Sequence, residues 1–327
     1  MRRRESREGA VLILVLLVLA AATAIMLESG KLLRVDYEGA ACQRTLASGG
    51  ALLASGLYAA EMALTDDLLD GSYSDNPFED WANLDTFFAD ISANLESGEL
   101  GCSITAEDSR INLNLLKDNK ALAGIFVRLA DRLREAHGID GESETFLASV
   151  QVWLGAKDTG GDADWYALEE PGYALARGKF RTPAELLLVR WKGMNDEDRR
   201  LILTGGGGIP GLVDFVTVWG DGKINMNFAP REILGAACAD KAVRAEFVNE
   251  ILNYRDQPAN DFGNGWYRDI AERLGLGMGS FPSSAMSSTS TVFRVETTAL
   301  VGSGCLRSTT ILERRSSICV VKFENIY

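Results

Sequence analysis

The residues of this chain best suited to chemistry are carboxylates that lie close together in the sequence. Four of them fall within a segment that also contains two glycines: Asp158, Asp162, Asp164 and Glu169. Hard carboxylate oxygens on a Gly-containing loop are ligands that Ca²⁺ prefers. Counted from Asp158, the other three fall at positions five, seven and twelve of an EF-hand loop, but Gly160 stands at position three and Ala163 where that loop needs Gly. The segment is therefore not an EF-hand, and a calcium site and a solvated acidic loop remain as the two interpretations.

The sequence lacks the motifs that nucleophilic catalysis usually requires. His137 is the single histidine, and it falls at the end of a predicted helix, where the helix dipole favours it. No G-x-S-x-G turn is present, and the glycines at 205–208 lack the Lys-Ser/Thr of a phosphate-binding loop. The glycines at 275–279 follow a predicted helix rather than a strand, which disfavours a dinucleotide site. We predict a protein that is not an enzyme.

Five cysteines follow the N-terminal segment, and none of them forms a C-x-x-C motif, so neither redox catalysis nor a zinc site is indicated. Cys305 and Cys319 lie on neighbouring predicted strands and form the candidate disulfide, provided that the domain occupies an oxidising compartment. Buried free thiols are the alternative.

The charge balance argues against nucleic acid as a partner. The 327 residues include 33 Lys and Arg against 46 Asp and Glu, which gives a net charge of −13. Such a surface repels phosphate backbones and anionic lipid headgroups.

The N-terminus contains the strongest single signal. Four arginines precede an uncharged segment of eighteen residues, Ala10 to Leu27. A helix of that length spans about 27 Å, enough to cross a hydrocarbon core. The arginines predict a cytoplasmic N-terminus and a periplasmic remainder.

Three interpretations of this segment compete. A secretory signal peptide could be cleaved near the alanines at 20–24, and a plain signal anchor needs nothing more than the apolar helix. In the third, the basic leader ending at Gly9, followed by Ala10 and an unbroken apolar helix, resembles the leader of type IV pilins and type II secretion pseudopilins. That resemblance implies cleavage between Gly9 and Ala10 by a prepilin peptidase. Leu14 stands where most of these proteins have Glu.

The elements predicted along the chain define an α+β protein. Cys42, Leu46, Gly49, Leu53, Leu57, Ala60 and Leu64 form an apolar stripe that predicts a helix continuing from the membrane segment. A first strand is predicted at 100–105, and three more from 292 onward. Several amphipathic helices are predicted between them. We expect a long helix packed on an antiparallel sheet, with a large helical domain inserted in the sheet.

The expected domain organisation follows from these elements. Its parts are a leader (1–9), a transmembrane part (10–27) and a soluble part (28–64) of the first helix, a sheet domain (65–105 and 281–327) and an inserted helical domain (106–280). One motif occurs twice in the insertion, as residues 111–115 and 224–228, and its Asn amides are expected to cap the following turns.

Several segments, taken in order, resemble the minor pseudopilin K family of type II secretion. They are Gly9-Ala10 with Leu14, Asp108 to Asn114, Val152-Trp153-Leu154, Tyr173, Phe180 to Leu188, and Gly222 to Pro230. The resemblance implies a pilin-like fold with an inserted α-domain, calcium bound in that domain, and no catalysis. It also implies a place at the tip of a periplasmic pseudopilus beside minor pseudopilins I and J, reached through the inner-membrane secretion platform.

Two other functions stay open. A minor pilin of a type IV pilus would usually keep Glu at position 14 and would not contain so large an insertion. An unrelated signal-anchored binding module would never lose its first nine residues.

Overall fold

A computed structural model describes residues 5–69, 74–92, 98–158, 162–263, 265–277, 279–315 and 318–327. Its first element is one long helix, α1 (Glu5–Leu69). Residues 9–44 of this helix are exposed throughout, whereas Leu53, Ala60 and Leu64 are buried. The helix therefore has a free half and a packed half.

The remaining helices follow in chain order within the described residues. They are α2 (Leu84–Ser92), α3 (Lys120–Ala136), α4 (Ser143–Trp153), α5 (Asp162–Leu168), α6 (Asp196–Thr204), α7 (Arg231–Ala237), α8 (Arg244–Arg255) and α9 (Trp266–Arg273). Residues Pro183–Leu188 form a 3-10 helix, at whose start the amide of Thr182 donates to Glu185 Oε1.

The four long strands form one sheet, and short two-residue strands pair with each other elsewhere in the described residues. The strands are β1 (Glu99–Ala106), β2 (Ile111–Asn112), β3 (Gly205–Gly206), β4 (Ile209–Pro210), β5 (Val216–Thr217), β6 (Ile224–Asn225), β7 (Met286–Ser287), β8 (Val292–Val301), β9 (Gly304–Arg315) and β10 (Ile318–Ile326). The four-stranded sheet has the order β1-β8-β9-β10 and is antiparallel throughout. Strands adjacent in space, β1 and β8, are thus separated in sequence by the whole helical region.

The packed half of α1 covers one face of this sheet. Gly56 permits the close approach, because a Cβ on it would lie 3.1 Å from Thr297 Cγ2. Further along, Trp81 is buried under α1 and meets the ring of Phe293 edge-on at 5.1 Å. The predicted stripe is confirmed from Gly49 onward, but its first two members, Cys42 and Leu46, are exposed.

The inserted region has a hydrophobic core of its own, built mainly on α3. Phe126 of α3 stacks on Phe146 of α4, and Phe146 stacks in turn on Trp191 with ring centroids 4.2 Å apart. Two parallel strand pairs, β2 with β5 and β6 with β7, connect distant parts of this core.

The repeated Asn motif does what its sequence predicts. Asn112 Oδ1 accepts a hydrogen bond from the amide of Asn114, and Asn225 Oδ1 accepts one from the amide of Asn227, which closes the same turn in both copies. The side-chain NH2 group of Asn112 donates to the carbonyls of Trp219 and Gly220. The motif is therefore structural in both places.

Two adjacent carboxylates fasten the ends of the insertion to each other. Asp108 Oδ2 accepts from the amides of Thr291 at 2.6 Å and Val292 at 3.1 Å. Glu107 is fully buried and receives both arms of the Arg294 guanidinium, at 2.9 and 3.0 Å. Both contacts span more than 180 residues of sequence.

The predicted disulfide between Cys305 and Cys319 is wrong, and all five cysteines are free thiols. The two strands are neighbours as expected, but Cys319 faces Arg314, nine residues along β9 from Cys305. At about 3.3 Å per residue this is roughly 30 Å, whereas a disulfide needs Cα atoms within about 7 Å. Antiparallel strands pair residues equidistant from their connection, and these two cysteines lie at different distances from it.

The first helix ends later in the chain than expected. α1 ends at Leu69, five residues beyond the expected Leu64, and Asp67 in this last turn binds Arg314 of β9 at 2.7 Å. The contact spans 247 positions of sequence, so no local spacing could indicate it.

Candidate membrane-anchoring and processing site

The free half of α1 is the candidate membrane segment. It is the one helix in the described part of the chain that is long and apolar enough to cross a membrane. None of its most apolar eighteen-residue window is buried within the protein, and Leu14 is 65% exposed. Such a surface is unstable in water and stable in lipid or against other apolar helices. These properties fit a single-pass anchor with a folded C-terminal domain.

The predicted processing junction, Gly9-Ala10, lies at the start of this exposed segment. A side chain on Gly9 would meet nothing within 4 Å, so packing inside the protein does not explain the glycine. The first four residues of the leader lie outside the described part of the chain. Cleavage between Gly9 and Ala10 stays a prediction.

The four carboxylates predicted to bind calcium are only partly described. Asp158 follows α4, Asp162 and Asp164 belong to α5, and Glu169 comes directly after it. Residues 159–161 and the side chain of Asp162 lie outside the described part. Oxygen donors suit Ca²⁺, but the described side chains of Asp158, Asp164 and Glu169 do not converge on one point. Calcium stays a prediction here.

A different carboxylate group converges at the end of α1. Oxygens of Asp67, Asp75 and Glu79 lie within 4.8 Å of one another, the one such group in the described residues. Arg314 pairs with two members of this group, because its guanidinium bonds both Asp67 and Asp75 and packs over the ring of Phe293 at 4.7 Å. Burial raises the pKa of Asp75, and the charge of Arg314 partly offsets that rise. The group joins α1 to the sheet rather than offering an open metal site.

Sequence reasoning missed this group and the Glu107–Asp108 pair. In each case the partner residue is more than 180 positions away, so no local spacing could reveal it. His137, by contrast, lies where it was expected, as the last residue capping α3.

Taken together, the long N-terminal helix, the antiparallel sheet it covers and the helical region between β1 and β8 define a pilin-like protein with an inserted α-domain. No known protein family matches the sequence, and no curated protein matches it either. Among solved structures, the chain is similar to one from the GspK-GspI-GspJ complex of the type 2 secretion system of enterotoxigenic Escherichia coli.

That similarity extends over nearly the whole of both chains. It covers 88% of this chain and 98% of the other, with a TM-score of 0.66 and 16% sequence identity. The fold expected from the resemblance to pseudopilin K is confirmed: this chain has the fold of GspK.

Proposed function

We propose that this protein is a non-catalytic minor pseudopilin of a type II secretion system. The observation that supports this most is the position of the insertion. In this chain a helical domain is inserted between the first two neighbouring strands of the sheet, and the similarity to the solved structure covers 98% of that other chain. The free apolar half of α1 supplies the anchor that such a subunit needs before it enters a fibre.

The proposed location is the bacterial inner membrane, with the N-terminus in the cytoplasm and the folded domain in the periplasm. A prepilin peptidase would remove residues 1–9, and the inner-membrane secretion platform would draw the mature chain into the pseudopilus. The proposed partners are minor pseudopilins I and J of the same system, since the matched structure is itself a complex of GspK with GspI and GspJ.

A place at the tip of the pseudopilus completes the proposal. A subunit with Leu14 instead of Glu lacks the buried acid that would pair with the amine of a neighbouring subunit. The large insertion would also hinder stacking of another subunit above it. Both features suit the subunit that initiates or caps the fibre.

Processing is tested first, by intact mass and N-terminal sequencing of protein from native membranes. A mature chain that begins at Ala10 is expected. Gly9→Val should block this cleavage, because the peptidase recognises the glycine. Gly30→Val is the matched control, since Gly30 lies in the same exposed helix with nothing within 4 Å of its Cβ position. A chain that starts at Met1, or one that starts beyond Ala20, would contradict the proposal.

Partner choice is tested by affinity purification of the full chain in mild detergent. Recovery of pseudopilins I and J in fixed proportion is expected. Recovery of type IV pilins instead would favour a minor pilin, and a processed chain that binds neither set would leave only an anchored binding module.

A further inference from the structure

Basic side chains cluster in one pocket of this strongly acidic protein. The pocket has a volume of about 220 Å³ and lies in the inserted domain, where α3, α7 and α8 meet. Its lining consists of four basic and two apolar residues: Arg132, Arg231, Lys241, Arg244, Ala245 and Val248. No carboxylate belongs to this lining, although acidic residues outnumber basic ones by 46 to 33 in the whole chain.

The cations of this pocket are not neutralised by ion pairs. Within the described part of the chain, none of the four has a carboxylate oxygen within ion-pair distance. Arg244 donates to the carbonyls of Cys238 and Ala239, and Arg231 to the amide oxygen of Asn249. Carbonyl and amide oxygens orient a guanidinium but leave its charge in place.

Arg132 shows the same lack of a partner at atomic detail. Its Nε is buried without a hydrogen-bond acceptor among the described residues, and its guanidinium lies against Gly235 of α7. Glu232 and Glu135 are the carboxylates that act on it, but neither reaches ion-pair distance. A buried donor without an acceptor is unfavourable, so the protein alone does not satisfy this guanidinium.

Mutual repulsion acts across the cluster. Burial lowers the pKa of Arg132 and of Arg128, which lies one turn earlier on α3, and the charge of Arg244 lowers each further. Like charges held this close are unfavourable unless something between them is negative.

The N-terminus of α8 opens into the same pocket. Arg244 and Ala245 are its first residues, and no side chain caps them. The uncapped amides and the positive end of the helix dipole add to the field of the basic residues. Side chains and backbone therefore favour the same ligand charge.

We propose that this pocket is a binding site for a phosphate-class oxyanion, either free phosphate or the phosphomonoester end of a larger molecule. Guanidinium groups match the oxygens of phosphate in pairs, and a dianion balances several cations better than a single carboxylate does. The volume is below the roughly 300–1,000 Å³ of pockets that hold drug-sized ligands, so a small anionic group fits and a nucleotide does not.

The test is calorimetric titration of inorganic phosphate into the full chain in uncharged detergent, with chloride at matched ionic strength as the blank. Saturable binding at one site per chain is expected. The variant Arg231→Gln with Lys241→Gln should weaken it at least tenfold, and both residues are exposed, so the fold is not at risk. Lys117→Gln with Lys120→Gln is the matched control, because it removes two exposed charges at the far end of α3 and should change the affinity less than twofold.

Further titrations identify the source of the anion. Glycerol phosphate that binds as tightly as inorganic phosphate would indicate the end of a larger molecule, and much weaker binding would indicate the free ion. The proposal is overturned if phosphate shows no saturable binding, if both double variants weaken it equally, or if only a polyglutamate peptide binds.

Discussion

Asp108 is a buried carboxylate that receives its hydrogen bonds from the far end of the insertion. Burial raises its pKa from the ordinary 3.8 to about 6, although the amides of Thr291 and Val292 lower it and Asp221 raises it. Its neighbour Glu107 behaves differently. Burial alone would raise the pKa of Glu107, but Arg294 and Arg110 outweigh burial and hold it below its usual range. The pKa values of these adjacent acids are therefore shifted in opposite directions, because only Glu107 has a cation in contact.

The raised pKa of Asp108 predicts a pH-dependent stability. The folded state binds this proton more tightly than the unfolded chain, so the contribution is complete below about pH 4 and is lost as the pH rises through about 6. The shift from 3.8 to about 6 corresponds to about 3 kcal/mol at 1.36 kcal/mol for each pKa unit. Asp108→Asn removes the titration, so the unfolding free energy of the variant minus that of the wild type should rise by up to this amount between about pH 4 and 7.

Denaturant unfolding followed by tryptophan fluorescence measures this difference. Asp118→Asn, which removes an exposed carboxyl group elsewhere, is the control for the loss of one negative charge. A constant or falling difference for Asp108→Asn would show that its carboxyl group does not titrate as the structure requires.

The calcium site predicted at Asp158, Asp162, Asp164 and Glu169 has its own test. A ligand that binds only the folded state at a hundred times its Kd stabilises it by about 2.7 kcal/mol. Asp158→Ala with Asp162→Ala should therefore lower the melting temperature more in calcium than in chelator. Asp118→Ala with Asp140→Ala removes two exposed carboxylates elsewhere and should show no calcium dependence. Equal melting curves for wild type and the first variant in calcium would show that these carboxylates do not bind the ion.

At the scale of elements, the contact between α1 and the sheet depends on small residues. Gly56 faces Thr297 and Leu100, whereas Gly50 lies on the same helix with nothing within 4 Å of its Cβ position. Overpacking a close contact typically costs about 1–3 kcal/mol, because neighbouring side chains must leave their preferred rotamers.

Gly56→Val is expected to lower the unfolding free energy by that amount, and Gly50→Val to change it by less than about 0.5 kcal/mol, as surface substitutions usually do. Thermal unfolding of the two variants beside the wild type makes the comparison. Similar losses for both would show that packing of Gly56 against the sheet does not determine the effect.

Local patterns predicted most of the elements. The apolar stripe from Gly49 to Leu64 and the strands from 292 onward both contain their signal within a few residues. The pairing of Cys305 with Cys319 failed because strand adjacency can be predicted from order along the chain, whereas register requires the exact connection. The contacts of Arg314 with Asp67 and Asp75, and the basic pocket, could not be predicted for a similar reason. Their members come from elements far apart in sequence.

For the whole molecule, the division of α1 into a free and a packed half predicts how the chain can be shortened. Residues 9–44 touch little of the folded domain, so a deletion of residues 1–40 should give a water-soluble protein with a melting temperature within about 2 °C of the full chain in detergent, since exposed positions contribute little. A deletion of residues 1–54 also removes buried Leu53 and should cost at least the 2–5 kcal/mol typical of losing a core leucine. Scanning calorimetry distinguishes the two. A large loss from the shorter deletion would show that the free half supports the domain.

The overall plan of the molecule was accessible from sequence because each part has a distinct composition: an apolar segment, a helical middle and a strand-rich end. The contacts that join these parts could not be predicted from sequence. Glu107, Asp108 and Arg294 read as ordinary surface charges until β1 and β8 are placed side by side.

The contacts between the ends of the insertion and the sheet also affect the order in which the chain folds. β1 and β8 pair Thr105 with Arg294, and closing an unstructured loop of that length costs about 3 kcal/mol more than closing a short hairpin. An insertion that folds first shortens the gap, since Asp108 then meets Thr291 beside the strands that must pair. We expect the insertion to become compact early and the sheet to form last, after the final strands have been synthesised. Until then β1 has no strand beside it, and the nascent chain at that stage is the form most exposed to aggregation and to proteases.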